Sequence, residues 1–204
     1  MIEAYVGGGT NGQRVIITLE ELGHSYKMNK LSFDKNEHKA PDYLKLNPTG
    51  RLPTIVDTEA AGGPFVLTQT IAIMLYLADK AGKLVGKSAT EKARVQEWMM
   101  FQATDLSPGL GVAFFLAERM EPKLPQARPA IKDRIINLYK HMDDRLARKK
   151  FLAGDGFSLA DILAWPMADT FEHDKFAGFA NIQRWRKEIA ARPAVVRANK
   201  ALGD

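Results

Sequence analysis

"RLPTIVDTEAAGGPFVLTQT", residues 51–70, decides the fold. Residues 54–56 and 64–67 are short strand candidates, and Gly62-Gly63 between them is a hairpin turn signal. A hairpin makes the two strands antiparallel. That settles how the loop "GGGTNG" at 7–12 is to be read. Gly7, Gly9 and Gly12 satisfy G-x-G-x-x-G, a strand precedes them at 2–6, a helix follows at 13–22, and Asp34 lies about 20 residues on, the dinucleotide-binding pattern. A dinucleotide fold needs several parallel strands joined by crossover helices. Here strand signals stop at residue 67 with an antiparallel pair. The loop keeps one property of that pattern. A strand-loop-helix turn aims unpaired backbone N–H groups at the loop, and the dipole there favours an anion, whether phosphate or thiolate.

Working outward, residues 1–80 alternate strands and helices. The helix at 13–22 carries Val15, Ile16, Leu19 and Leu22 at three-to-four spacing, with Gly23 as its C-terminal glycine. Residues 26–33 read as a strand, and a helix opens at Thr68 or Gln69 and ends at Gly82. The order is β-α-β, a connector, then β-β-α. After about residue 85 the rhythm is helical only. Expected helices span 91–118, with a bend or break at Pro108-Gly109, then 129–150, 159–171 and 182–191. The stripe on 129–150 is Ile131, Ile135, Leu138, Met142 and Leu146. In "FSLAD", Ser158 and Asp161 are spaced as a capping box, and Phe157 and Ile162 as a hydrophobic staple. The class is an α+β domain joined to an all-α domain.

The 204 residues are 46% hydrophobic and 26% charged, as in a folded globular protein, with a formal charge of +5. The longest basic run, Arg148-Lys149-Lys150, reads as a solvated helix end and not as a nucleic-acid footprint. There is no cysteine, so disulfides, thiolate metal sites and a thiol nucleophile on the protein are excluded. Any sulfur chemistry must arrive with a ligand. His24, His38, His141 and His173 lack metal-binding spacing, so no metal is expected. With no signal-peptide pattern and no apolar run near the ~18 residues of a membrane span, the expected setting is the cytoplasm, without membrane or nucleic-acid partners.

Two further stretches carry chemistry. In "NPTGRLP" at 47–53, Asn47 to Gly50 form a turn and Pro53 stands at a strand start, where its missing N–H matters least. A cis Leu52–Pro53 bond is one option and would turn the Leu52 backbone toward an extended ligand; an ordinary trans proline is the other. In "LTQTIAIMLYLADK", Gln69-Thr70 stands between a strand and a helix, as a cap, as an anion grip, or as both.

Together "LEELG" at 19–23, "NPTGRLP" at 47–53, "QTIAIMLYLADK" at 69–80 and "GDGFSLADIL" at 154–163 resemble, in order, the motifs of the cytosolic glutathione transferase family. "TNG" at 10–12 and "EWMMFQATDLSP" at 97–108 are most similar to its bacterial nu-type and yeast prion-like subgroup. The resemblance implies a thioredoxin-like, glutathione-binding domain over residues 1–81. Its mixed sheet runs β-α-β-β-β-α, here read as β-α-β, connector, β-β-α. An all-helical domain over 88–204 would form the electrophile site, and the protein would be a homodimer. By the same resemblance, Pro53 matches the family's cis-proline and Leu52 offers its backbone to the cysteinyl part of glutathione. Gln69 and Thr70 match the pair that binds the γ-glutamyl end. Arg51 and His38 resemble side chains that reach the glycine carboxylate. Asn11 and Thr10 are the expected catalytic donors. The motif's usual threonine is Gly9 here, Thr10 stands in its proline position and Arg14 in its lysine position. Tyr5, inside the first strand, reads as core. Trp98, Phe101 and Phe114 are candidate walls for the electrophile, though at helical spacing they also read as core.

The implied function is a glutathione S-transferase that stabilises the glutathione thiolate for attack on an electrophile or a disulfide, with glutathione as substrate. The alternatives are a non-catalytic glutathione transferase-like interaction module and, more remotely, a dinucleotide-binding protein. A free thiol with a pKa of ~8.5 is only a few per cent ionised at pH 7. One hydrogen bond to the charged form, worth roughly 1.5–3 kcal/mol, lowers that pKa by about one to two. One or two donors from Thr10, Asn11 and the helix amides are therefore enough.

Overall fold

The computed structural model describes residues 1–170 and 178–203; the expected helix end at Phe171 and the histidine at 173 lie outside the described residues. The first half contains β1 (Ile2–Val6), α1 (Thr10–Leu22), β2 (Tyr26–Lys30), α2 (Pro41–Leu46), β3 (Thr54–Asp57), β4 (Phe65–Thr68) and α3 (Thr70–Ala81). The sheet order is β2-β1-β3-β4. β1 and β2 are parallel, and β3 is antiparallel to both β1 and β4. This is a thioredoxin-like mixed sheet. It overturns the dinucleotide alternative: among the described residues one strand pair is parallel, and no doubly wound sheet surrounds the glycine loop.

Local sequence explains the elements that carry the site. Ile2, Ala4 and Val6 alternate inward along β1. Helix α1 buries Val15, Ile16, Ile17 and Leu19 completely, each contributing on the order of 1.5–3 kcal/mol. It ends at Gly23, whose φ of 73° is the left-handed cap that glycine favours. Helix α1 packs against α3 and, across to the second half, against the helices at 159–170 and 193–202. The connector, read from sequence as plain loop, contains a 3₁₀ turn at Glu37–Lys39 and α2. Tyr43 on α2 is buried, and its hydroxyl donates to the Arg51 carbonyl (2.5 Å) and lies 2.8 Å from Thr54 Oγ1.

The second half has no strand among the described residues. Its elements are α4 (Ala89–Met100), α5 (Ser107–Phe114), α6 (Ala127–Ala130), α7 (Lys132–Arg148), α8 (Leu159–Thr170), α9 (Ala180–Ala190) and α10 (Pro193–Leu202), with π-helical turns at Phe101–Leu106 and Phe115–Arg119. The break expected at Pro108-Gly109 is absent. Ser107 keeps helical dihedrals, and the preceding wide turn accommodates the proline's missing N–H. The single helix expected at 129–150 is split at Ile131, with φ −104° and ψ 0°. Its buried stripe is Ile135, Tyr139, Met142 and Leu146, so Tyr139 takes the place expected for Leu138. Helix α8 is the buried centre, as its all-round apolar sequence implies. Helix α10 was missed. Pro193 in its first turn and Gly203 after its end are the start and stop signals that mark it.

The capping box at α8 is half formed. Asp161 accepts the Ser158 N–H at 3.0 Å, but the Ser158 hydroxyl donates to that same carboxylate (3.2 Å). The Asp161 N–H bonds the Ser158 carbonyl instead. The other carboxylate oxygen accepts from the Leu152 N–H (3.0 Å) and from Trp185 Nε1 (2.9 Å). Burial pushes this carboxyl up to about 6, with these donors opposing.

Candidate functional site

Strand register gathers the expected residues at one end of the sheet. Tyr5 pairs with Thr54, Thr54 with Thr68, and Val6 with Lys30. The segments leaving β1, β2 and β4 and the one entering β3 therefore lie together. They carry Thr10 and Asn11, then His38, then Arg51 to Pro53, then Gln69 and Thr70.

The glycine loop has a steric explanation that needs no phosphate. Gly9 caps α1 with φ 110°, a conformation side chains rarely adopt. A Cβ on Gly12 would stand 2.5 Å from the Gly7 carbonyl oxygen, so the loop folds back directly onto the start of α1. No side chain caps α1 and no acidic residue lies in its first turn, which leaves its positive end open. The Asn11 carboxamide oxygen accepts from Arg14 Nη1 at 2.6 Å. Arg14 Nε donates to the Leu163 carbonyl of α8, also at 2.6 Å. Thr10 is half-buried and Asn11 exposed. Tyr5 turns its hydroxyl to Glu3 (3.1 Å), away from the loop, and its ring lies 5.9 Å from that of Tyr43.

The Leu52–Pro53 bond is cis. The Arg51 carbonyl is held by Tyr43 and by Asn47 Nδ2 (2.7 Å), which fixes the segment from outside. Leu52 reaches the glycine loop, since a Cβ on Gly7 would lie 2.9 Å from Leu52 Cδ1. The His38 ring meets Phe33 edge-on with centroids 5.0 Å apart, and its Nδ1 is buried without a partner. The His38 carbonyl would be 2.9 Å from a Cβ on Gly50, so His38 adjoins Arg51. Arg51 itself is exposed.

Gln69 has φ 71° and ψ 114°, an unfavourable conformation for a residue with a side chain. Helix α3 starts immediately after it, with no side-chain cap and no acidic first turn. Below it, Asp57 at the end of β3 anchors α3, accepting from Tyr76 (2.7 Å) and Lys80 (2.5 Å). Burial pushes the Asp57 carboxyl up, but the bonds from Lys80, Tyr76 and the Glu59 N–H prevail and hold it at about 2.

The three candidate wall residues differ in exposure. Trp98 is only 5% exposed and stacks on His141 at 5.5 Å, with Phe101 edge-on at 5.2 Å. Trp98 belongs to the core of the helical half, and Phe101 is half-buried against it. Phe114 is exposed, with Arg119 over its ring. A cavity of about 440 Å³ lies instead between residues 104–116 and 127–134, lined by Pro108, Val112, Leu116 and Ile131 among others. It receives no residue from the sheet domain.

Sequence reasoning missed Tyr43 and Asp57 and met Asn47 only as the start of a turn; all three anchor the segments around the candidate site. It met Arg14 only as the residue in the lysine position of a motif. A charged side chain on the inward face of an otherwise apolar helix was the available signal.

Comparison with known proteins gives a consistent picture. Residues 4–79 match the family described as glutathione S-transferase, N-terminal domain, and residues 108–193 match glutathione S-transferase, C-terminal domain. The disulfide-bond oxidoreductase YfcG of Escherichia coli is 30% identical over all of this chain and 98% of its own. A glutathione transferase from Burkholderia graminis, solved with two glutathione molecules bound per subunit, superposes with a TM-score of 0.88 at 30% identity, over 97% of this chain and 86% of that one. The glutathione transferase URE2P6 of Phanerochaete chrysosporium, in complex with oxidized glutathione, superposes with a TM-score of 0.87 at 30% identity, over 99% and 96%. The chain belongs to the glutathione S-transferase family.

Proposed function

We propose that this protein binds glutathione at the converging end of the sheet and uses its thiolate to attack an electrophile or a disulfide. The observation that supports the reading is the register Tyr5–Thr54–Thr68, by which the end of β1, the entry to β3 after Leu52 and the end of β4 before α3 are neighbours, with α1 and α3 both starting without a side-chain cap. The Leu52 N–H and carbonyl make no hydrogen bond among the described residues. They are available to pair with a short extended peptide, as glutathione is. Gln69, Thr70 and the start of α3 receive its γ-glutamyl end. Arg51 and His38 stand at the glycine carboxylate. The sulfur lies at the start of α1, toward Asn11 and Thr10. Residues 1–81 supply this site, and the helical domain over 88–204 forms the electrophile site. The electrophile is held by the helical half, at Phe114 or in the cavity beside Val112 and Leu116.

In transfer, the thiolate sulfur forms a bond to the electrophile's carbon and the leaving group departs with the electron pair. In reduction, the thiolate attacks one sulfur of a disulfide and expels the other as thiolate. A second glutathione thiolate then attacks the mixed disulfide, giving oxidised glutathione and two reduced thiols in all. The disulfide route is favoured by the similarity to YfcG and to structures holding two glutathiones or their disulfide. No residue here carries a thiol, so both reducing equivalents come from glutathione. The site needs no metal. We take the protein to act as a cytoplasmic homodimer; among the described residues no helix is long and apolar enough to cross a membrane.

Turnover on a panel of small disulfides and carbon electrophiles, each with glutathione, tests this. Glutathione-dependent turnover of at least one class is expected. Tight glutathione binding without any turnover would instead favour the non-catalytic interaction module, the reading that Gly9, with no hydroxyl to offer, supports.

A further inference from the structure

The side chain of Arg14 is 4% exposed, yet no carboxylate is paired with it among the described residues. Its Nε is spent on the Leu163 carbonyl, its Nη1 on the Asn11 carboxamide oxygen, and its Nη2 is buried without a partner. A buried, unpaired cation is costly. Its placement as the fifth residue of the helix that opens on the proposed sulfur position, three after Asn11, calls for a function.

A guanidinium has only donors, so it can face only the oxygen of a carboxamide. The orientation of Asn11 is therefore imposed by chemistry: Oδ1 turns to Arg14 and the Nδ2 hydrogens turn away from it. We propose that Arg14 is a positioning residue that locks Asn11 with its amide N–H groups toward the glutathione sulfur, fixed in turn by the Leu163 carbonyl of the helical domain. Without the lock, the Asn11 amide rotates freely and half its orientations offer a thiolate an oxygen. The proposal rests on the glutathione reading above.

The surroundings are consistent with this division of labour. The titratable group facing Arg14 is the Tyr139 phenol on α7, itself buried. From α10, Asn199 meets the neighbouring Gln13 (2.8 Å) and not Arg14. Burial lowers the guanidinium to about 10, with Tyr139 opposing, so it remains charged at neutral pH. The Leu163 carbonyl also makes the lock an inter-domain device: α8 belongs to the half that holds the electrophile.

The test is the pKa of bound glutathione, read from the ultraviolet thiolate band, in wild type, Arg14→Met, Arg14→Lys, Asn11→Ala and the double variant Asn11→Ala/Arg14→Met. Arg14→Met is expected to raise the pKa by about one, the equivalent of one charged hydrogen bond. Arg14→Lys, which keeps a donor for the Asn11 oxygen, stays near wild type. The double variant matches Asn11→Ala alone. An unmoved pKa in Arg14→Met with glutathione still bound, or additive effects in the double variant, overturns the proposal while leaving the glutathione site intact. Wild type that binds no glutathione is a different failure, that of the functional reading. Should Arg14→Met not fold, the Asn11 side-chain amide signals in the ¹H–¹⁵N spectrum of wild type decide. They are expected to shift with glutathione and much less with S-methylglutathione, whose sulfur carries no charge. Equal shifts overturn the lock.

Discussion

Thr54 of β3 and Thr68 of β4 are direct cross-strand partners. The residues just before the first, Leu52 and Pro53, and just after the second, Gln69 and Thr70, are thereby neighbours, although 16 positions separate Pro53 from Gln69. Gln69 holds its place in a backbone conformation that costs on the order of 1–3 kcal/mol. Gln69→Gly is therefore expected to raise unfolding free energy by up to about 1 kcal/mol, because glycine adopts that φ without strain. The same change is expected to raise the KM for glutathione by about 10- to 100-fold, the loss of one hydrogen bond to a charged ligand group. Denaturant unfolding and steady-state kinetics on one preparation check both halves.

Gly12 lets the glycine loop lie on the start of α1. Gly12→Ala brings a methyl group within 2.5 Å of a backbone oxygen and 3.3 Å of Val6 Cβ. Neither neighbour is a flexible side-chain end. A destabilisation of about 1–3 kcal/mol is expected, as for overpacking, together with loss of thiolate formation as the loop shifts. Urea unfolding and the thiolate absorbance measure these.

Asp57 ties β3 to α3 and so holds Gln69 in position. Its folded pKa of about 2 lies below its ordinary value of 3.8. A depressed carboxyl stabilises the fold when ionised, so its contribution is present above pH ~4 and lost as pH falls toward 2. The full effect is roughly 2 kcal/mol. Asp57→Asn is expected to lose that amount at pH 7 and to flatten the acid limb of the stability profile between pH ~4 and ~2.

Asp161 has the opposite sign. Its folded pKa of about 6 exceeds the ordinary 3.8, so the native state holds more protons between those values and this group's contribution falls as pH rises through 6. Asp161→Ala removes that slope. It also strands the buried N–H groups of Leu152, Ser158 and Trp185, an expected cost of about 3–5 kcal/mol. Thermal and denaturant unfolding from pH 4 to 7 follow both effects.

The parts of the fold legible from sequence were those with local signatures. The Gly62-Gly63 hairpin, the Gly23 and Gly82 helix ends, the stripe of α1 and the Ile135, Met142 and Leu146 positions of α7 all rest on near-neighbour physics. The turns within the motifs were legible because glycine and proline mark backbone geometry. Helix α10 escaped notice despite local signals at Pro193 and Gly203, but most of the rest depends on contacts distant in sequence. Trp98 is core because His141 and Arg145 cover it, which its own helix does not reveal. Pro108 is a local exception: it stands in the first turn of α5, directly after a π turn, and the helical path continues through it. The partners of Arg14 lie 3 and 149 residues away, so the nearer could be guessed from helical spacing and the farther could not.

The proposed glutathione site is the end of the sheet where Asn11, Leu52 and Gln69 meet. Calorimetric titration of the wild-type protein with glutathione, alongside Gln69→Ala, tests it most directly. A saturable binding event at or below millimolar glutathione is expected in wild type, weakened by about 10-fold or more in Gln69→Ala. No binding at millimolar glutathione, or equal binding in the two proteins, would contradict it.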